Sequence, residues 1–125
     1  MEIKELSTKV VNAVYEVHRH LPEGFLEIVY RNALVHELRS SGLKCTVEMP
    51  IQVLYKGHVV GDYRCDILVE DCLILELKAK GTLNPRDEVQ LVNYLVATGI
   101  DYGLLINFGS EKPQIKRKRR IFTRS

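Results

Sequence analysis

The sequence predicts an α/β fold: a mixed β-sheet flanked by helices, in the order α-α-β-β-β-α-β with a further strand at the end. Three observations carry this. Apolar residues recur every three to four positions through the first 40 residues. The pattern then changes to period two from about Val47. Two short apolar runs, CLILELK and YGLLINF, finally lie on either side of a third helical segment.

The elements follow in order. Ile3, Leu6, Val10, Val14, Val17 and Leu21 make the stripe of a first amphipathic helix, ended by Pro22 and Gly24. A second helix is expected from about Phe25 to Ser40, with Leu26, Val29, Tyr30, Ala33, Leu34, Glu37 and Leu38 inward and Ser40-Ser41-Gly42 as its close. Val47, Met49, Ile51, Val53 and Tyr55 alternate with other residues, which predicts a strand with one buried face. Pro50 fits an edge position or a bulge there. Lys56-Gly57 is a hairpin signal, and Val59 to Val69 is the returning strand, with Gly61 suited to a bulge. Glu70-Asp71 is the next turn. Cys72 to Lys78 suits a central strand covered on both faces. Asn84 or Thr82 caps a helix over about Arg86 to Thr98, with Val89, Val92, Leu95 and Val96 facing the sheet and Gly99 ending it. Tyr102 to Phe108 is another buried strand, and Ile115 to Phe122 a last, basic one.

A chain of 125 residues suits one domain over 1–125 and can bury its own core. The hydrophobic fraction of 46% and charged fraction of 27% are those of an ordinary globular protein, not a disordered one. Cys45, Cys65 and Cys72 form no CxxC pair, which argues against a disulfide framework or a zinc ribbon and for reduced, mostly buried thiols. No apolar run approaches a membrane span, and MEIKELSTKV carries acids where a signal peptide has bases, so a cytoplasmic location and no membrane partner are expected. The net charge of +2 is uneven: residues 111–125 hold seven Lys/Arg against Glu111, while the first 110 hold 11 Lys/Arg against 15 Asp/Glu. A basic strand or tail at about 113–125 on an acidic body suits a polyanion, or else a solvated edge.

The candidate chemistry lies in the middle strands. Asp66 interrupts Tyr63-Arg64-Cys65-Asp66-Ile67-Leu68-Val69, and aspartate is depleted in strands. Glu76 and Lys78 are two apart in CLILELK and so project to one face. Pairing through Glu70-Asp71 brings Asp66 opposite residues 74–76. Two carboxylates among apolar strands repel and lose solvation, and a divalent cation relieves both penalties. Oxygen ligands favour Mg²⁺ or Mn²⁺ over zinc. Lys78 can neutralise charge and hold or deprotonate a water, and a metal beside a positioned water hydrolyses phosphodiesters. Gln90 and Tyr94, at i and i+4, share a helix face from which they could reach a phosphate or orient Lys78. Glu27, among Leu26, Ile28 and Val29, is expected to face partly inward, on the same face as Tyr30.

These residues resemble a known family. Gly24, Glu27 and Tyr30 in GFLEIVY fit the motif of the GxxExxY proteins. Asp66 and Glu76-Leu77-Lys78 resemble the PD-(D/E)xK nuclease signature, with Arg64-Cys65 in place of the proline before the aspartate. Gln90 to Tyr94 resembles the QxxxY element of RecB-like members, with Asp87 or Glu88 where some relatives carry histidine. The resemblance spans the chain from the first helix to GLLINFG. It implies a restriction-endonuclease-like core in which Asp66, Glu76 and the Leu77 carbonyl bind Mg²⁺ or Mn²⁺. It also implies that Lys78 is catalytic, that Glu27 meets the metal directly or through water, and that Gln90 and Tyr94 lie near the nucleic acid.

The function expected is a Mg²⁺-dependent nuclease acting on DNA, with Lys116, Arg117, Lys118, Arg119 and Arg120 on phosphates. So small a domain would read bases only with a partner or as a homodimer. The alternatives are a non-catalytic nucleic-acid-binding or regulatory module and an assembly protein on the same fold.

Overall fold

The computed structural model describes residues 1–120, and its elements follow the predicted order: α1 (Ile3–His20), α2 (Glu27–Ser40), β1 (Cys45–Tyr55), β2 (His58–Val69), β3 (Leu73–Lys78), α3 (Pro85–Thr98), β4 (Tyr102–Asn107) and β5 (Gln114–Arg119). The expected end of the last strand at Phe122 lies outside the described residues. The five strands form one sheet in the order β1-β2-β3-β4-β5, antiparallel except for the parallel pair β3–β4 that α3 connects. No helix among the described residues is long and apolar enough to cross a membrane.

Two cores sandwich the sheet. On one face α1 and α2 bring Leu6, Val10, Val14, Tyr30, Leu34 and Leu38 onto Ile67, Leu75, Leu77 and Phe108. On the other, α3 brings Leu91, Tyr94 and Leu95 onto Cys65, Ile74 and Leu105. Strand β3 alternates between them, which accounts for its nearly continuous apolar sequence.

Several turn signals are realised. Lys56 and Gly57 both take positive φ, 48° and 82°, in the two-residue turn between Tyr55 and His58. A register shift follows Val53, next to its partner Gly61. Pro50 lies on an edge strand. Asn84 caps α3 with a reciprocal bond to Asp87, and Gly99 closes it at φ 74°.

Other expectations are corrected. Helix α2 starts at Glu27, not Phe25, because the Tyr30 hydroxyl accepts from the Phe25 N–H (3.2 Å) and donates to the Pro22 carbonyl (2.7 Å), tying up the preceding loop. Leu26 is exposed rather than inward. Strand β1 does not keep one buried face. Only Cys45 and Ile51 are buried, and Val53, Leu54 and Tyr55 face solvent because the distal hairpin extends past the neighbouring strand β3. On α3, Val89 and Val96 point to solvent and Val92 is half-buried. The packed stripe is Asp87, Leu91, Tyr94 and Leu95, one step of the helical period away from the valines. Cys72 is exposed, unlike Cys45 and Cys65.

The end of β4 passes very close to the end of β3. A Cβ on Gly109 would fall inside the van der Waals envelope of the Lys80 backbone N and O and of the Ala79 carbonyl carbon. Backbone cannot yield as a side-chain tip can, so Gly109→Ala should destabilise the protein by about 3 kcal/mol. Thermal denaturation should show a melting temperature lower by roughly 10 °C. An unchanged melting temperature would mean the two strand ends separate freely.

Candidate active site

Asp66 and Glu76 stand where β2 and β3 part. Their ladder runs through Val69–Leu73, Leu68–Ile74 and Ile67–Leu75, and the same register puts Asp66 opposite Glu76. At that point side chains replace the ladder. Glu76 Oε1 accepts from the Asp66 backbone N–H (3.0 Å), and Asp66 Oδ2 accepts from the Leu77 N–H (2.6 Å). Each carboxylate is thus fixed by the other's strand through one oxygen, and the second oxygen carries no protein hydrogen bond among the described residues.

Face alternation also breaks here. Cys65 and Ile67 are two apart, yet Cys65 is buried under α3 and Ile67 under α1 and α2. The bend continues into β1. Val47 pairs Ile67 and Met49 pairs Cys65, so Glu48 lies opposite Asp66, and Glu48 has φ 54°. A left-handed backbone at a residue with a Cβ costs about 1–2 kcal/mol.

The pair is electrostatically unsettled. Burial raises the Glu76 pKa first and the Asp66 charge second, to about 8. Burial likewise raises Asp66, against the Leu77 N–H, Lys78 and Arg31. Glu27, the first residue of α2, is raised by lost solvation and then by Asp66, and is drawn down by Lys78, Arg31 and Lys80. It thus shares the field of the pair while keeping an exposed surface. Among the described residues no three His, Cys, Asp or Glu side chains converge closely enough to hold a metal by themselves. Two adjoining carboxylates with raised pKa values and free oxygens nevertheless fit a hard divalent cation completed by carbonyl and water ligands.

Lys78 projects from the same face of β3 as Glu76 and is 23% exposed. Its Nζ donates to Gln90 Oε1 at 3.4 Å and lies 4.0 Å from Asp87 Oδ1. Gln90 therefore meets the lysine, but it does so from the margin of the face that packs on the sheet, not from an opposite one. Tyr94 is 5% exposed and tilts against Tyr63. Burial, then Glu76 and Asp66, push its hydroxyl to about 12, so it stays a neutral phenol. It lines, with Gln90 and Tyr63, a cleft between α3 and the β1–β2 hairpin.

Sequence reasoning missed a second layer. Buried Asp87 pairs with Lys80 at 2.6 Å. Burial would raise its pKa, but the Asn84 N–H and Lys80 outweigh that and lower it. Asn107 is fully buried and clamps the Lys80 backbone, accepting from its N–H (3.1 Å) and donating to its carbonyl (2.8 Å). The β3 end is thereby anchored to both α3 and β4. Period two from Lys78 to Lys80 was the available signal for this layer.

Among the described residues, the basic end does not present one surface. Strand alternation sends Lys118 to Glu88 (2.5 Å) and Arg119 over the Tyr102 ring (5.7 Å), and Arg120 pairs Asp101 (2.8 Å). Lys116 and Arg117 are exposed.

A mixed sheet between helices, with an Asp and a Glu-x-Lys meeting where two of its strands diverge, is the arrangement of the PD-(D/E)XK nucleases. The chain belongs to the PD-(D/E)XK nuclease superfamily, whose family model matches residues 4–119. Solved structures that share the fold include these two. The protein of the crystal structure of SSO0001 is 18% identical, with a TM-score of 0.58 over 76% of this chain and 50% of that one. An alkaline exonuclease (LHK-Exo) from Laribacter hongkongensis is 14% identical, with a TM-score of 0.55 over 88% of this chain and 68% of that one. The chain thus spans half the length of the first. Among curated proteins no sequence matches.

Proposed function

We propose that the protein is a Mg²⁺- or Mn²⁺-dependent nuclease that hydrolyses phosphodiester bonds of DNA, working as one domain in the cytoplasm. The observation that carries this is the interlocked pair Asp66–Glu76, each carboxylate with an oxygen to spare, beside the half-buried Lys78. Asp66, Glu76 and the Leu77 carbonyl would hold the cation, with Glu27 reaching it through water. When bound, the cation supplies charge for the phosphoryl oxygens and lowers the pKa of a water.

The chain's own groups do the rest. Lys78 Nζ, directed by Gln90, orients the attacking water and offsets negative charge building on the phosphate. Asp87 and Asn107 hold Lys80 and the end of β3 in place. Tyr94 excludes water from the α3 side of the carboxylates. Lys116 and Arg117 meet backbone phosphates without reading bases. The match of Gly24, Glu27 and Tyr30 to the GxxExxY motif, and of Gln90 and Tyr94 to the RecB-like element, supports this reading. In it Tyr30 has a structural part, stacking on Phe108 at 4.7 Å and securing the loop before Glu27.

The test is cleavage of labelled single- and double-stranded DNA, with RNA alongside, in Mg²⁺, Mn²⁺ or EDTA. Cleavage of DNA is expected with either ion and none in EDTA. Binding without cutting under every divalent ion would replace the reading with that of a nucleic-acid-binding module.

A further inference from the structure

Arg31 lies one helical turn beyond Glu27 on α2, and its side chain is 18% exposed. Its donors are poorly used. Nε is buried without a partner among the described residues; Nη1 lies 3.7 Å from Glu48 Oε2, and Nη2 reaches Asn32 Oδ1 only at 3.4 Å. A mostly buried guanidinium ordinarily satisfies its hydrogen bonds, so one left this open calls for an acceptor. It sits close enough to the catalytic acids to lower the pKa of both Asp66 and Glu27. Its brace, Glu48, is the strained residue opposite Asp66, and strain of this kind gathers at functional sites.

Arg31 also opens onto a cleft of about 530 Å³ between α2 and β1, lined further by Asn32, Val35, His36, Arg39, Ser40 and Val47. Arg39 is oriented there by donating to the Cys45 carbonyl at 2.9 Å. Two guanidinium forks, an imidazole, an amide and a hydroxyl suit an anion with several oxygens, and the planar fork matches phosphate.

We propose that this cleft is a second phosphate subsite, in which Arg31, braced by Glu48 and joined by Arg39, grips a phosphate of the strand whose scissile bond lies at Asp66 and Glu76. The proposal rests on the nuclease reading for the identity of the anion. It adds a substrate contact on the α2 side of the site, opposite the Gln90 side. Glu48 is a positioning residue, since it acts through Arg31.

The experiment measures binding of labelled oligonucleotides in EDTA across a KCl series, with the wild type, Arg31→Met, Arg31→Lys and Arg39→Gln. Removing one cation from a phosphate should reduce the slope of log K against log[KCl] by about 0.7 on single strands or 0.9 on duplex. Arg31→Met should show that reduction and bind about tenfold more weakly, whereas Arg31→Lys should keep the slope. An unchanged slope in Arg31→Met would overturn the subsite and leave Arg31 as a mere counter-charge to Asp66. If Arg31→Met fails to fold, Arg39→Gln decides on the same criterion. Oligonucleotides with a 5′-phosphate or a 5′-hydroxyl separate the two sources: a loss confined to the former assigns a terminal phosphate, an equal loss an internal one. A wild type that cuts while its slope ignores Arg31 and Arg39 sinks the subsite alone. One that binds through Arg31 but never cuts sinks the nuclease reading alone.

Discussion

Glu76→Gln and Lys78→Met should each slow DNA cleavage by on the order of 10³-fold, with far-UV circular dichroism unchanged. The Gln replacement keeps the shape of Glu76 and can still accept the Asp66 N–H through its amide oxygen, so the strand junction survives. What it loses is the anionic oxygen left free for a cation. The Met replacement keeps most of the stem of Lys78 and removes only the charged tip that faces Gln90. Lys78→Arg should rescue little, because a planar fork cannot take the place of a compact ammonium between Gln90 and Asp87. Asp66→Asn should match Glu76→Gln. If both Glu76→Gln and Lys78→Met cut at the wild-type rate, the chemistry lies elsewhere on the molecule.

The second large effect concerns stability. In EDTA the protein should be more stable near pH 5 than near pH 8.5. Glu76 has a pKa of about 8 in the folded chain against an ordinary 4.5, so between those values the folded state holds a proton that the unfolded state has released. Stability then falls as pH rises through that window. Asp66 and Glu27, both raised, act in the same direction, while the lowered Asp87 acts in the opposite direction and in a more acidic range. The fall should amount to a few kcal/mol, or a melting temperature lower by roughly 10 °C. Glu76→Gln should flatten the profile and melt higher than the wild type at pH 8.5. Mn²⁺ should raise the wild-type melting temperature more at pH 8 than at pH 5, where protons compete for the same oxygens. A metal-free wild type that grows more stable from pH 5 to pH 8 would contradict the buried, repelling pair.

The contrast between Asp66 and Arg31 shows what could be read in advance. Asp66 stood out because aspartate in a strand violates local preference, and Glu76 and Lys78 because period two put them together. Arg31 broke no local rule. A basic residue one turn after an acid on a helix looks like a surface pair, and only burial of its Nε and the opposite position of Glu48 mark it. The arrangement of the basic end was hidden for a related reason. A run of like charges reads as one patch, but a strand deals successive side chains to opposite faces, and Lys118, Arg119 and Arg120 found partners inside the chain.

Element type and order followed from the sequence alone, because backbone periodicity is local: apolar spacing, Asn84 as a cap, Gly99 as a stop and Lys56-Gly57 as a turn each act within a few residues. So did the membership of Asp66, Glu76 and Lys78 in one neighbourhood, since a short turn leaves antiparallel strands few registers. Tertiary structure decided which valines of α3 face water, where the alternation of β1 and β2 breaks, and that the two carboxylates take the place of the strand ladder. Those outcomes depend on sheet twist and on which surfaces compete for the same core, and no run of consecutive residues encodes them.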